Sequence, residues 1–258
     1  MILRPPEPAP RASDDFLPAW DVVMRSQKQH YEPCWMITQP SHAALAGEIA
    51  AKLTGPQVPH LEPELIRAIA LHDAGWGMPD AQAVMQSRSS GGECPRSFLQ
   101  AGVADFVAAW VQSIQTAQSA SPAGGYMVSR HFWRIGKHRL DTAGDSAADR
   151  RKLQTFLEDE TERQKKLAAK QQRTVEELER LTDVLQFCDL LSLYICCGAK
   201  ENVEFPEYFG VKARLIANDE GYRLEPALVE SGATFSVAAL RHPPTKEVSG
   251  QEIGCRIL

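Results

Sequence analysis

The sequence predicts a mainly α protein: an HD-domain-like arrangement of helices over residues 20–200, preceded by an irregular arm at 1–19 and followed by a short β-rich segment at 201–258 packed on that core. Three observations carry this. Apolar residues recur at helical spacing in several long stretches, among them Val103, Val107, Trp110, Val111 and Ile114. Capping residues precede those stretches. After residue 200 the pattern changes to short apolar runs separated by turn residues.

Taken in order, residues 1–19 are rich in Pro, Ala and charge, which suits an irregular arm. Cys34–Thr38 is a short apolar run, either a strand or a buried entry segment. A helix follows over Ala43–Leu53, with Thr38 or Ser41 as its cap and Pro40 tolerated in its first turn. Gly55-Pro56 stops it, and Pro63 opens the next, over Glu64–His72. Residues 79–96 read as a loop whose Gly- and Ser-rich stretch is 87–92. Further helices fit Ser97–Gln118, Tyr126–Lys137, the highly charged 147–171, and Val175–Cys197, the last opened by Thr174-Val-Glu-Glu177 at capping-box spacing. Val211–Ile216, Tyr222–Leu224 and Thr234–Leu240 read as strands, with Asp219-Glu-Gly221 as a hairpin turn.

Composition narrows the function classes. Of 258 residues, 43% are hydrophobic and 24% charged, the proportions of a globular chain and not of a disordered one. A net charge of -5 argues against a general nucleic-acid binder, which needs a basic surface against phosphates. No apolar run approaches the roughly 18 residues of a membrane span, and Met1-Ile-Leu-Arg-Pro-Pro lacks the apolar core of a signal peptide. The six cysteines form no CxxC pair, and three of them (Cys188, Cys196, Cys197) sit in an apolar run. A cytoplasmic location is expected.

The chemistry is concentrated in a few polar residues on apolar helix faces. Asp189 lies mid-helix in a segment apolar nearly all round. A carboxylate there needs a positive partner, and since mid-helix amides are already bonded, that partner is a metal ion or an arginine. His72 and Asp73 emerge along the core-facing edge of the helix Leu65–Leu71. They suit metal ligation, or else a histidine on the helix dipole beside an aspartate capping the turn. His42 falls on the buried stripe with Ala46, Ile49 and Leu53, where a satisfied core histidine is the alternative. Together the three helices offer two imidazoles and two carboxylates, a set for Zn, Mn, Fe, Co or Ni.

A histidine, a His-Asp doublet ending the next helix and an aspartate on a late core helix resemble the ligand order of the HD-domain superfamily, here His42, His72-Asp73 and Asp189. The wording Trp35-Met-Ile-Thr-Gln-Pro-Ser-His-Ala-Ala-Leu-Ala-Gly47, His72-Asp-Ala-Gly-Trp76 and Ser129-Arg-His-Phe132 is similar to a bacterial family of unassigned function within it. The resemblance covers roughly residues 35–200. It implies a metal-dependent phosphohydrolase acting on a nucleotide or other small phosphoester with one or two divalent ions, Asp73 bridging if two bind. Members that act on cyclic dinucleotides often carry a lysine three residues after the doublet's aspartate, where this chain has Trp76. Dinuclear members have two further histidines before the last aspartate. His131, on the stripe Val128–His131–Ile135, is the candidate for one, and His138 is the remaining histidine of that interval. A dinuclear iron oxygenase and a non-catalytic metal- or ligand-binding module are the alternative functions.

Beside His131, Arg130, Arg134 and Lys137 share a face that can clamp a phosphate, a solvated basic face being the alternative for Lys137 and Arg139; Arg130 is the preferred catalytic candidate, or else neutralises Asp189. Asp80, in the turn Gly75–Asp80, is a candidate general acid, base or ligand, or a plain turn aspartate. Trp76 can wall the pocket or pack in the core. A small phosphorylated molecule is the expected partner. A homodimer is left open, since the β-rich tail can also form a dimer edge.

Overall fold

A computed structural model describes residues 1–7, 13–89, 92–93, 95–245 and 250–258. Cys94 and part of the 87–92 stretch fall outside the described residues. The chain forms β1 (Ile2–Arg4), β2 (Phe16–Pro18), α1 (Ala19–Lys28), β3 (Cys34–Ile37), α2 (Gln39–Ala51), α3 (Pro63–Ala70), α4 (Gly77–Arg88), α5 (Val103–Ala120), α6 (Pro122–Thr142), α7 (Ala147–Ala168) and α8 (Val175–Cys197). The strands β4 (Asn202–Tyr208), β5 (Val211–Asn218), β6 (Gly221–Glu225), β7 (Thr234–His242) and β8 (Gly250–Arg256) follow. Helix makes up 54% and strand 20%, the strands in two four-stranded sheets. The fold is therefore mixed α/β, which corrects the expectation of a mainly α chain with a short β-rich tail.

The correction has a physical source. One sheet has the order β1-β3-β7-β8, all neighbours antiparallel, so residues 2–4, 34–37 and 234–242 meet. The other has the order β2-β4-β5-β6, with β2 parallel to β4. Pairing across such separations leaves no local periodicity to read. Segment 1–19, expected to be irregular, thus supplies two short strands. Strand β4 is equally hard to see, because a register shift between Glu204 and Glu207, around Pro206, breaks its alternation.

The helices expected after residue 38 lie close to their places, but two others differ: α1 has no counterpart among the helices expected from the sequence, and α4 replaces an expected loop. Residues 79–88 do not loop but continue as α4, whose buried residues are the polar pair Asp80 and Ser87 while Met78 and Met85 face outward. An apolar stripe is absent from that helix, so periodicity misses it. Helix α8 is buried almost throughout and packs on α2, α6, α1, β1 and β4. It opens with the Thr174–Glu177 capping box and closes on Gly198 at a φ of 69°, a left-handed cap that suits glycine. Among the described residues no helix is long and apolar enough to cross a membrane.

Candidate metal centre

Four segments, α8 among them, deliver polar side chains to one buried point. Thr38 caps α2, its Oγ1 accepting the Ser41 N–H at 3.2 Å, and His42 sits in the first full turn. Further along α2, Gly47 meets α3 so closely that a Cβ there would lie 2.5 Å from the Ala70 Cβ. Helix α3 ends at Ala70, and His72 and Asp73 follow before a 3-10 turn, Ala74–Trp76. That turn is pinned to α5, the Gly75 N–H donating to Ser113 Oγ at 2.9 Å, and a Cβ at Gly75 would fall 2.0 Å from the Ala109 carbonyl oxygen. His131 comes from α6 and Asp189 from the middle of α8.

The five side chains converge. His72 Nε2 lies 3.2 Å from Asp189 Oδ1, and His42 Nε2 lies 3.2 Å from Asp73 Oδ2 and 3.5 Å from Asp189 Oδ1. His131 Nε2 stands 3.8 Å from Asp189 Oδ2, and His72 Nε2 stands 3.8 Å from Asp73 Oδ2. The imidazoles of His42 and His72 stack at 5.1 Å, while those of His72 and His131 meet edge-on at 5.6 Å. None of the five residues is more than 6% exposed. Ligand atoms of His42, His72 and Asp189 all lie within 4.8 Å of one another, so this buried group can hold a metal ion.

Hydrogen bonding tests the fit. His72 Nδ1 lies 2.8 Å from the Ile69 carbonyl oxygen and donates to it, which leaves Nε2 to face Asp189. A lone pair facing a carboxylate is repulsive unless a cation, a proton or a metal, lies between them. Both ring nitrogens of His42 and Nδ1 of His131 are buried without a hydrogen-bond partner. Although His42 Nε2 is close to two carboxylates, it is not aligned for a hydrogen bond with either. His42 Nε2 thus shares space with Asp73 and Asp189 without bonding to either, the arrangement a cation requires, while His72 Nε2 is hydrogen-bonded to Asp189.

The electrostatics agree. Burial, aided by His72, drives His42 down to about 3, and burial drives His131 down to about 3, so both stay neutral, the form that binds metals. Burial lifts Asp73 to about 7. Burial also opposes charge on His72, but Asp73 and Asp189 outweigh it and hold the imidazole up at about 9. At Asp189 burial favours the neutral acid, yet the hydrogen bond and charge of His72 hold the carboxyl below its ordinary range. One proton on His72 thus stands in for positive charge that the two carboxylates demand.

Other sequence candidates lie elsewhere. Arg130 Nε reaches Glu179 at 2.8 Å, and its guanidinium stacks over Trp133 at 4.4 Å, so it neither clamps the centre nor neutralises Asp189. Arg134 is committed to Glu179, Asp183 and Gln186, Lys137 to Asp141. Asp80 is buried on α4 and bonds to Met1 and Gln39. His138 is exposed. Trp76 packs edge-on against Phe106 at 5.3 Å, which places it in the core. A surface groove of about 580 Å³ between α5 and α7 is lined by none of the five donors. Sequence reasoning missed Gln39, buried one turn before His42 with Oε1 unpartnered. A glutamine at a helix start reads as a solvated residue, so no signal marked it.

Fold and site define a mixed α/β protein whose helices enclose a His/Asp donor cluster suited to a cation. The chain belongs to the family described as protein of unknown function (DUF3891), which matches residues 23–229, a span that holds all five donors. No curated protein and no solved structure matches it.

Proposed function

We propose that the protein is a divalent-metal-dependent phosphohydrolase acting on a nucleotide or other small phosphoester, its ion held by His42, His72, Asp73 and Asp189 with His131 alongside. The observation that carries this is the buried His42 ring, both nitrogens unpartnered and Nε2 within 3.5 Å of two carboxylates. The donor set of imidazole nitrogen and carboxylate oxygen suits Zn, Mn, Fe, Co or Ni. Such an ion supplies Lewis acidity and acidifies bound water. The chain's part is to fix the donors: Ile69 sets the His72 tautomer, and burial keeps His42 and His131 unprotonated. The hydrolytic class rests on the resemblance to HD-domain proteins, because Arg130 and Arg134 are neutralised by acidic residues of α8.

Burial favours a second reading, in which a closed site holds a structural metal. Metal analysis of protein purified without chelators tests the common premise. The parent carries an ion, and Asp189→Ala loses it. Unchanged metal content in Asp189→Ala, or a parent that neither retains nor rebinds a divalent ion, ends both readings. Assays of the loaded protein on a nucleotide and phosphodiester panel then separate them. Metal-dependent release of phosphate or an alcohol supports hydrolysis, whereas stabilisation without turnover supports the structural role.

A further inference from the structure

We propose that Asp80 is a positioning residue of the metal centre, setting the place of His42 by holding the N-terminus of α2 against the segment that carries His72 and Asp73. The inference rests on the metal reading above. Asp80 Oδ2 accepts the backbone N–H of Gln39 at 2.6 Å, and Oδ1 faces the Met1 ammonium at 2.9 Å, with the carboxylate almost fully buried. Gln39 is the first residue of α2, and its N–H has no acceptor within the helix. A negative charge there also opposes the positive end of the helix dipole. The first turn so anchored contains His42, whose own N–H donates to the Thr38 carbonyl at 3.1 Å.

The other end of the tie is rigid. Asp80 lies in the first turn of α4, which continues without a break from the 3-10 turn that follows Asp73. That turn is fixed to α5 through Gly75 and Ser113. Helix α2 is thus held against the doublet segment at two places, at Gln39 by Asp80 and at Gly47 by its contact with Ala70. His42 lies between them. Buried and bonded through Oδ2 to the Gln39 N–H, Asp80 acts through α2 and not on a substrate.

The test compares Zn²⁺ affinity, by chelator competition on the full chain, with the melting temperature of the metal-free protein. Asp80→Ala is expected to bind Zn²⁺ about 10- to 100-fold more weakly, the usual scale for an outer partner of a ligand. Asp80→Asn, which keeps an acceptor for the Gln39 N–H, restores most of that loss. Gln39→Pro deletes the donor at a position where helices accept proline, and weakens Zn²⁺ in the same direction. Leu153→Ala, in the core on α7, lowers the melting temperature without changing Zn²⁺ affinity. Parent-like Zn²⁺ affinity in Asp80→Ala, or in Gln39→Pro should Asp80→Ala be recovered unfolded, overturns the proposal and leaves the metal reading standing. A parent that binds no divalent ion overturns both.

Discussion

In Gly47→Ala, the added Cβ falls 2.5 Å from the Ala70 Cβ and 3.0 Å from its Cα, where ordinary contact begins near 3.4 Å. The obstacle is a short side chain and backbone, so no rotamer change relieves it. Helices α2 and α3 must separate by about 0.9 Å at that point, the difference between 3.4 and 2.5 Å. Two terms oppose each other in stability. Alanine favours the helix by about 1 kcal/mol over glycine, while overpacking a tight contact costs about 1–3 kcal/mol. The net loss of up to about 2 kcal/mol lowers the melting temperature by a few degrees for a chain of this length. The effect on the centre is larger. Metal–donor distances tolerate about 0.2 Å, and a separation several times that size pulls His42 on α2 from His72 after α3. Zn²⁺ affinity, read by chelator competition, is expected to fall at least about 10-fold, with scanning calorimetry of the metal-free protein giving the stability term. Unchanged affinity with a raised melting temperature would refute the idea that this helix contact sets the donor geometry.

Two further outcomes follow from the structure. Burial raises the Glu160 carboxyl above its ordinary range despite its bonds to Ser129 and Arg163, so the stability it contributes is present below about pH 4.5 and is lost as pH rises through the raised value. Glu160→Gln should therefore gain melting temperature relative to the parent as pH rises above the ordinary glutamate value; a difference that stays constant with pH would contradict the assignment. Thr174→Ala removes the hydroxyl that accepts the Glu177 N–H at 3.2 Å, and is expected to cost about 1 kcal/mol in thermal unfolding. It should leave bound metal unchanged, because the cap lies four turns from Asp189, and loss of metal would show that α8 does not act as a rigid rod.

How much of this was legible in the sequence varies with the range of the interaction. The capping box at Thr174 and the hairpin turn at Asp219 are local and stand where the residues place them, and the Cys34 run, open in the sequence between strand and buried entry segment, is a strand. His42, His72, Asp73 and Asp189 stood out because each is a polar group on an apolar face, an anomaly that needs no knowledge of neighbours, and His131 followed from the resemblance. Partners were not legible. A basic face on α6 predicts a phosphate clamp until Glu179 and Asp183, some 50 residues later, are found against it. Asp80 looked like a turn residue because its helix buries polar groups in place of an apolar stripe. One sheet escaped notice because β1, β3 and β7 come from opposite ends of the numbering, and of the other only the β5–β6 hairpin is local, β2 reaching β4 from the far end of the chain.

That last arrangement has a consequence for biosynthesis. The donors are all present once residue 189 has emerged, so the helices can close around the centre while the chain is still growing. Strand β3, by contrast, carries the fully buried run Cys-Trp-Met-Ile and keeps one open edge until residues 234–242 arrive to pair with it. Any chain halted before that point presents an apolar, unpaired strand edge, a template for association with other chains. The last strands therefore also cover an apolar strand edge that the earlier part of the chain leaves unpaired.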